Sequence, residues 1–277
     1  MSLLSSLLLG LIQGISEFLP ISSSGHLSIA QNLLNISAVG SEHLFFDVLL
    51  HLGTLAAVFV AYWQDIVEMV AEFFRAIGDL IHHRTGGRTP PARRLMLLVI
   101  FGTLPLFLIL PVKDAIEALY YNTVFIGFAL LFTGAMLFLS DRVARGHKTE
   151  KTATVRDALL VGVAQAIATC PGISRSGMTI CAGTFLGFDR KYAVRFSFLL
   201  SIPAVLGANL LDLVDAARTG IDMSQVPIYL VGILAAAVSG YFCIRLIRLI
   251  ADKGKFGWFA YYCWAVGALT LILSAVK

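Results

Sequence analysis

Long runs of apolar residues, cut by short polar breaks, make up most of this chain. A helix needs about 20 residues to cross ~30 Å of hydrocarbon. Six runs approach that length, at about 44–63, 95–111, 123–140, 196–212, 227–249 and 256–276. Amphipathic sequence continues from the first of them to about Ile81. Two further apolar stretches are too short and too interrupted to span. Residues 2–18 run into Pro20, which lacks an N–H and clashes with the preceding turn. Ser22, Ser23 and Ser24 then offer N-caps for a second short helix over 25–36. Residues 158–187 repeat that order, with a break at Pro171-Gly172 and a new helix from Ser174. Helix, polar break, helix is the pattern of a re-entrant segment. The expected fold is therefore an all-α polytopic membrane protein, with six transmembrane helices and two re-entrant helix-loop-helix hairpins.

The two breaks are copies of one another. Gly10, Gln13, Ile15, Ile21, Ser22, Ser24 and Gly25 recur 152 positions later as Gly162, Gln165, Ile167, Ile173, Ser174, Ser176 and Gly177. Ser23 is replaced by Arg175. Leu49-Leu-His-Leu-Gly53 resembles Leu199-Leu-Ser-Ile-Pro203 at an offset of 150. The 277 residues thus read as a single membrane domain in two halves, approximately 1–145 and 155–277. Each half holds one hairpin and three spans; because three is odd, the copies are expected to be inverted. Charge agrees. The basic loops at 82–94, 141–157, 188–195 and 245–255 share the cytoplasmic side only if both hairpins return to the face they entered, the first from outside.

Composition narrows the class. The chain is 58% hydrophobic and 14% charged, with mean hydropathy +0.83; soluble domains are about one-quarter charged. The net charge of +4 sits in short loops, where membrane topology explains it, so nucleic acid is not an expected partner. The four cysteines lie in or beside apolar segments and read as small buried hydrophobes. The run Leu3 to Ile12 has no basic residue before it and reads as retained rather than as a cleaved leader.

Candidate chemistry gathers at the breaks. Each precedes a helix N-terminus, whose free N–H groups favour an anion. Ser22, Ser23, Ser24, Ser174, Ser176 and Thr179 add hydroxyl donors, and Arg175 supplies a planar fork suited to phosphate oxygens. Two facing tips would hold a multiply charged anion such as a diphosphate. Glu17 and His26 lie beside it as an acid/base pair. Glu17 could take a proton from Ser23 or from water, and His26 could protonate a leaving phosphate or support the nucleophile. Plainer roles compete: Ser22 and Ser24 serve equally well as N-caps, and Gln13 and Gln165 as helix-packing amides. Asp47 and His51, four apart on one helix face, read as inter-helix glue in preference to support for the site.

The segment Gln13-x3-Glu17-Phe-Leu-Pro-Ile-Ser-Ser-Ser-Gly-His26 resembles the (Glu/Gln)-x3-Glu and Ser-Ser-x-Gly-His motif of bacterial undecaprenyl-diphosphate phosphatases. Pro171-Gly-Ile-Ser-Arg-Ser-Gly-Met-Thr179 resembles their Pro-Gly-x-Ser-Arg-Ser-x-x-Thr motif. The likeness continues through Phe46 to Thr54 and Phe196 to Pro203, covering nearly the whole chain. It implies hydrolysis of undecaprenyl diphosphate to the monophosphate and phosphate, which recycles the carrier for peptidoglycan synthesis and is linked to bacitracin resistance. By matching position it implies Glu17, Ser23, His26 and Arg175 as catalytic, with Ser22, Ser24, Ser174, Ser176 and Thr179 binding phosphate. It also implies a divalent metal, Mg2+ or Ca2+, at Glu17 with Gln13, although many members carry Glu where this chain has Gln13. The implied setting is the bacterial cytoplasmic (inner) membrane, with membrane lipids around the protein and a homodimer left open; the charge pattern puts the site on the outer side. Inverted repeats also occur in transporters, so a polyprenyl-phosphate flippase is the alternative. Acid-phosphatase-like lipid phosphatases fit less well, because Arg-Pro occurs nowhere and Cys181 stands where a His is required.

Overall fold

The computed structural model describes residues 1–33, 41–82, 89–219 and 225–276. His83 to Arg88 of the first basic loop, residues 34–36 of the second short helix and Asp222 lie outside these. The described residues are helical throughout, apart from short 3-10 segments and turns. The first hairpin comprises α1 (Leu3–Phe18) and α2 (Ser23–Leu33). Then follow α3 (Ser41–Ala61), α4 (Trp63–Ile81), α5 (Pro91–Thr103, extended by a 3-10 stretch to Val112), α6 (Lys113–Ala118) and α7 (Thr123–Ser140). The second hairpin is α8 (Val155–Ile167) and α9 (Arg175–Phe185), followed by α10 (Arg190–Thr219), α11 (Val226–Lys253) and α12 (Gly257–Val276). Among the described residues five segments are long and apolar enough to cross a membrane, and α3 with α4, bent by 85°, would count as a sixth if the pair is one span. The chain is a multi-pass membrane protein. The bend at Tyr62 turns the amphipathic α4 away from the axis of α3, a change of direction that the sequence pattern did not contain.

Small residues let the hairpins dock closely. Gly10 and Gly14 of α1 lie against the backbone of α11 at Gly232, Ala236 and Gly240. Ser6 donates to the Ile228 carbonyl of the same helix at 2.6 Å. A Cβ at either glycine would strike main-chain atoms, the usual reason for small residues at four-residue spacing on packed membrane helices. In the second half, Gly162 of α8 meets the Gly102 carbonyl of α5 in the same way. The partner changes from α11 to α5, yet the contact is the same.

Basic loops gather at one end of the molecule. Arg248 donates to the Ala61 carbonyl and the Tyr62 hydroxyl. Arg195 pairs with Asp65 and Glu150, and Arg94 donates to the carbonyls of Glu150 and Ala153. Lys148 fastens the second hairpin there. Its ammonium holds Asp157, in the first turn of α8, at 3.0 Å. Its backbone bonds Gly187 and Asp189, just past the end of α9. The two ends of this hairpin therefore meet at one residue. The chain start lies near α11's first turn instead, where the Met1 ammonium reaches Gln225 at 3.4 Å.

Candidate active site

The two breaks pack against one another. A Cβ on Gly25 would sit 3.4 Å from the Gly172 Cα, and one on Gly177 would sit 3.3 Å from the Pro20 Cβ. Ser24 accepts from the Gly172 N–H at 3.4 Å, and Ser176 donates to the Leu19 carbonyl at 3.3 Å. Each tip thus bonds the backbone of the other.

Glu17, near the end of α1, is the hub. One carboxylate oxygen pairs with the Arg175 guanidinium at the start of α9. The other accepts from the Ser23 hydroxyl at 2.6 Å and from the Gln13 amide at 3.1 Å. The carboxyl side chain is 5% exposed, whereas that of Arg175 is 24% exposed. A buried charge needs such partners, because desolvation costs several kcal/mol per ion. Ser23, Ser24 and His26 are also partly open, whereas Glu17 is covered.

Several of the predicted phosphate ligands also bond within the protein. Ser174 is the N-cap of α9, accepting from the Gly177 N–H at 3.1 Å. Its own N–H donates to Thr133 of α7 at 3.1 Å. Ser22 accepts from the Gly25 N–H at 3.4 Å, the same role in the first tip. Thr179 is buried against Ser197 at 2.6 Å and ties α9 to α10. Gln165, the copy of Gln13, is buried with neither amide atom bonded among the described residues.

His26 turns away from the hub. Its Nδ1 lies 2.7 Å from the Ser22 carbonyl, and its Nε2 lies 2.8 Å from the Tyr262 hydroxyl of α12. Sequence reasoning did not single out Tyr262, because a tyrosine in an aromatic-rich apolar helix is ordinary. It also placed His51 with Asp47 as glue. His51 Nδ1 lies 2.8 Å from the Asp47 carbonyl, but the two side chains otherwise face different partners. Asp47 accepts from Gln31 at 3.0 Å, joining α2 to α3, while His51 Nε2 stands 4.0 Å from Glu17. The signal for His51 was its place in the repeat-related segment after the first hairpin.

The profile of the family described as Bacitracin resistance protein BacA matches residues 6–269. The chain belongs to that family. A protein of Methanosphaera stadtmanae named undecaprenyl-diphosphatase is 43% identical over 282 residues, covering 100% of this chain and 99% of that one. Proteins of the same name from Alkaliphilus metalliredigens and Halothermothrix orenii are each 40% identical, covering 99% and 100% of this chain and 99% and 100% of their own lengths. This BacA-family chain therefore shares its full length with them, both tips included.

Within the family frame the donors for a divalent ion can be weighed. The Gln13 amide oxygen is buried and has no partner among the described residues, although the same side chain donates to Glu17. Hard cations such as Mg2+ and Ca2+ take carboxylate and amide oxygens. Gln13 and Glu17 therefore fit such an ion, although among the described residues no group of three or more acidic, His or Cys side chains is gathered to hold one.

Proposed function

We propose that this protein hydrolyses undecaprenyl diphosphate to undecaprenyl phosphate and inorganic phosphate, recycling the carrier for cell-wall synthesis. The observation that carries this reading is the hydrogen bond from Ser23 to Glu17, beside the Arg175 guanidinium. A hydroxyl bound to a buried carboxylate is an activated nucleophile. A guanidinium next to it can neutralise and orient phosphate oxygens.

In the proposed reaction Ser23 Oγ attacks the terminal phosphorus and Glu17 takes its proton. The bond from that phosphorus to the bridging oxygen breaks, and the lipid monophosphate leaves. Glu17 passes that proton to the departing monophosphate. It then takes a proton from water, which attacks the phosphoserine phosphorus. The bond to Ser23 Oγ breaks, the serine is reprotonated from Glu17 and inorganic phosphate leaves. Arg175 holds the transferred phosphoryl group throughout. Ser24 lies at the rim and can donate to phosphate; Ser22, Ser174, Ser176 and Thr179 shape the tips that present it. Glu17 and Gln13 would hold a divalent ion, whose chemistry when bound would be to neutralise diphosphate charge.

The halves are read as an inverted duplication whose hairpins enter from opposite leaflets. Supporting this, Gly10 on Gly232 and Gly162 on Gly102 are equivalent contacts. The second hairpin is anchored at the basic end and the first begins at the other. The positive-inside rule makes the basic end cytoplasmic, so the first hairpin enters from the outer face of the inner membrane and the headgroup is taken up there.

The deciding experiment measures phosphate release by purified, detergent-solubilised protein, with and without Mg2+ or Ca2+. Release that disappears in Ser23→Ala, with a phosphoenzyme trapped in the parent, supports the serine path. Full activity in Ser23→Ala would transfer the attack to water. Movement of lipid across liposomes without phosphate release would make the protein a carrier.

A further inference from the structure

We infer that Tyr262 is a positioning residue for the Ser23 centre, acting through His26 on the backbone of Ser22. This rests on the reading of Ser23 and Glu17 given above.

A carbonyl oxygen only accepts, so the 2.7 Å contact with Ser22 puts the proton on His26 Nδ1. Nε2 of the neutral ring then accepts, and the Tyr262 hydroxyl donates to it at 2.8 Å. The two rings lie nearly parallel, 5.5 Å apart with 12° between their planes. The result is a directed chain from hydroxyl to imidazole to carbonyl, running from α12 into the first tip.

The residue at its end is unusual. Ser22 has φ +72, the one positive φ at a non-glycine among the described residues. Such a conformation persists only where surrounding contacts hold it. The Ser22 carbonyl is held twice, by the His26 N–H at 3.3 Å and by the imidazole. The next residue is Ser23, whose direction toward Glu17 depends on that backbone turn. The second tip supplies the contrast. There Met178 stands at the position of His26, and Ser174, the copy of Ser22, relaxes to an extended φ of −74. The left-handed serine occurs where the imidazole and its tyrosine occur.

Tyr262→Phe removes the hydroxyl and keeps the ring. Kinetics of phosphate release should show kcat down about five- to tenfold, the weight of one hydrogen bond, with KM within about twofold. The melting temperature in detergent should not move. His26→Ala should cost more, and the double variant His26→Ala with Tyr262→Phe should match His26→Ala alone, because both act on one path. Tyr261→Phe, on the neighbouring residue, should behave as the parent. A parental kcat in Tyr262→Phe, a raised KM with unchanged kcat, or effects that multiply in the double variant would each overturn the inference. Glu17→Gln and Ser23→Ala run alongside. If both remain active, the reading of the centre itself fails; if both are dead while Tyr262→Phe is normal, only the role of Tyr262 fails.

Discussion

Arg175 and Glu17 form an ion pair although 158 positions separate them, and each stands at the broken end of its own hairpin. Neither hairpin alone makes a site. The first brings a carboxylate and a hydroxyl, the second brings the guanidinium where the first has Ser23, and the packed tips complete the set. The repeat is thus used twice for scaffold and once for each chemical part.

Arg175→Lys tests whether geometry or charge matters at that position. An ammonium keeps the charge but cannot bond Glu17 and a phosphate oxygen in the planar arrangement of a fork. Phosphate release should fall by roughly 10²-fold, the scale seen when one preorganised donor is lost. Arg175→Ala should also lower the melting temperature, because the buried carboxylate loses its ionic partner and keeps only the Ser23 and Gln13 hydrogen bonds.

Gly172 and Gly207 should respond oppositely to alanine. Gly172 has φ +87, and a Cβ there would lie 2.8 Å from the Ile126 carbonyl oxygen and the Ala129 Cβ. Gly172→Ala should cost more than about 1 kcal/mol and disturb the tip that Ser24 bonds. Gly207 lies within α10, where a Cβ meets nothing within 4 Å. Alanine there should stabilise by about 0.5–1 kcal/mol without changing activity. Melting curves of the two variants in one detergent check both signs.

Glu17, Ser23 and Arg175 were legible because each is costly in a run of apolar sequence, and the Ser23/Arg175 mismatch stood out in a matching repeat. The helices were legible from length, and the α7 boundaries agree with the 123–140 run. The 85° bend was not, because no proline or glycine marks residues 61–63 and the angle is set by packing. For His51 the sequence left two roles open, because an Asp and His four apart on one face look alike whether they bond a neighbour helix or face a site. Ser174 and Thr179 belong to a motif, yet motif membership does not distinguish a helix cap or an inter-helix bond from a substrate contact.

Gln13 and Gln165 occupy equivalent places and should part ways when each is changed to methionine. Gln13 donates to Glu17, and losing a bond to a charged group should cut phosphate release by roughly 10- to 100-fold. Gln165 has neither amide atom bonded among the described residues, and it is 1% exposed. Replacing an unsatisfied buried amide by an apolar side chain of similar shape is neutral or stabilising. Gln165→Met should therefore keep activity and raise the melting temperature. A large loss of stability there would mean that its amide has partners that sequence position and packing conceal.

Asp157 links stability to pH at the mouth of the second hairpin. Burial pushes its carboxyl up, but the Thr154 backbone N–H, the Lys148 ammonium and the Thr154 hydroxyl more than offset that, so it ends below its ordinary value. A depressed folded value means that the stability it supplies is fully present above the unfolded carboxyl range, about pH 4. That contribution is lost as pH falls through the folded value. Asp157→Asn should thus melt lower than the parent at neutral pH, and the two curves should converge as the buffer is taken below about pH 4. The loss follows from the position of Lys148, which joins both ends of the hairpin through this carboxylate and its own backbone. Lys148→Met should reproduce the neutral-pH deficit, and combining it with Asp157→Asn should add little, since the two residues form one contact.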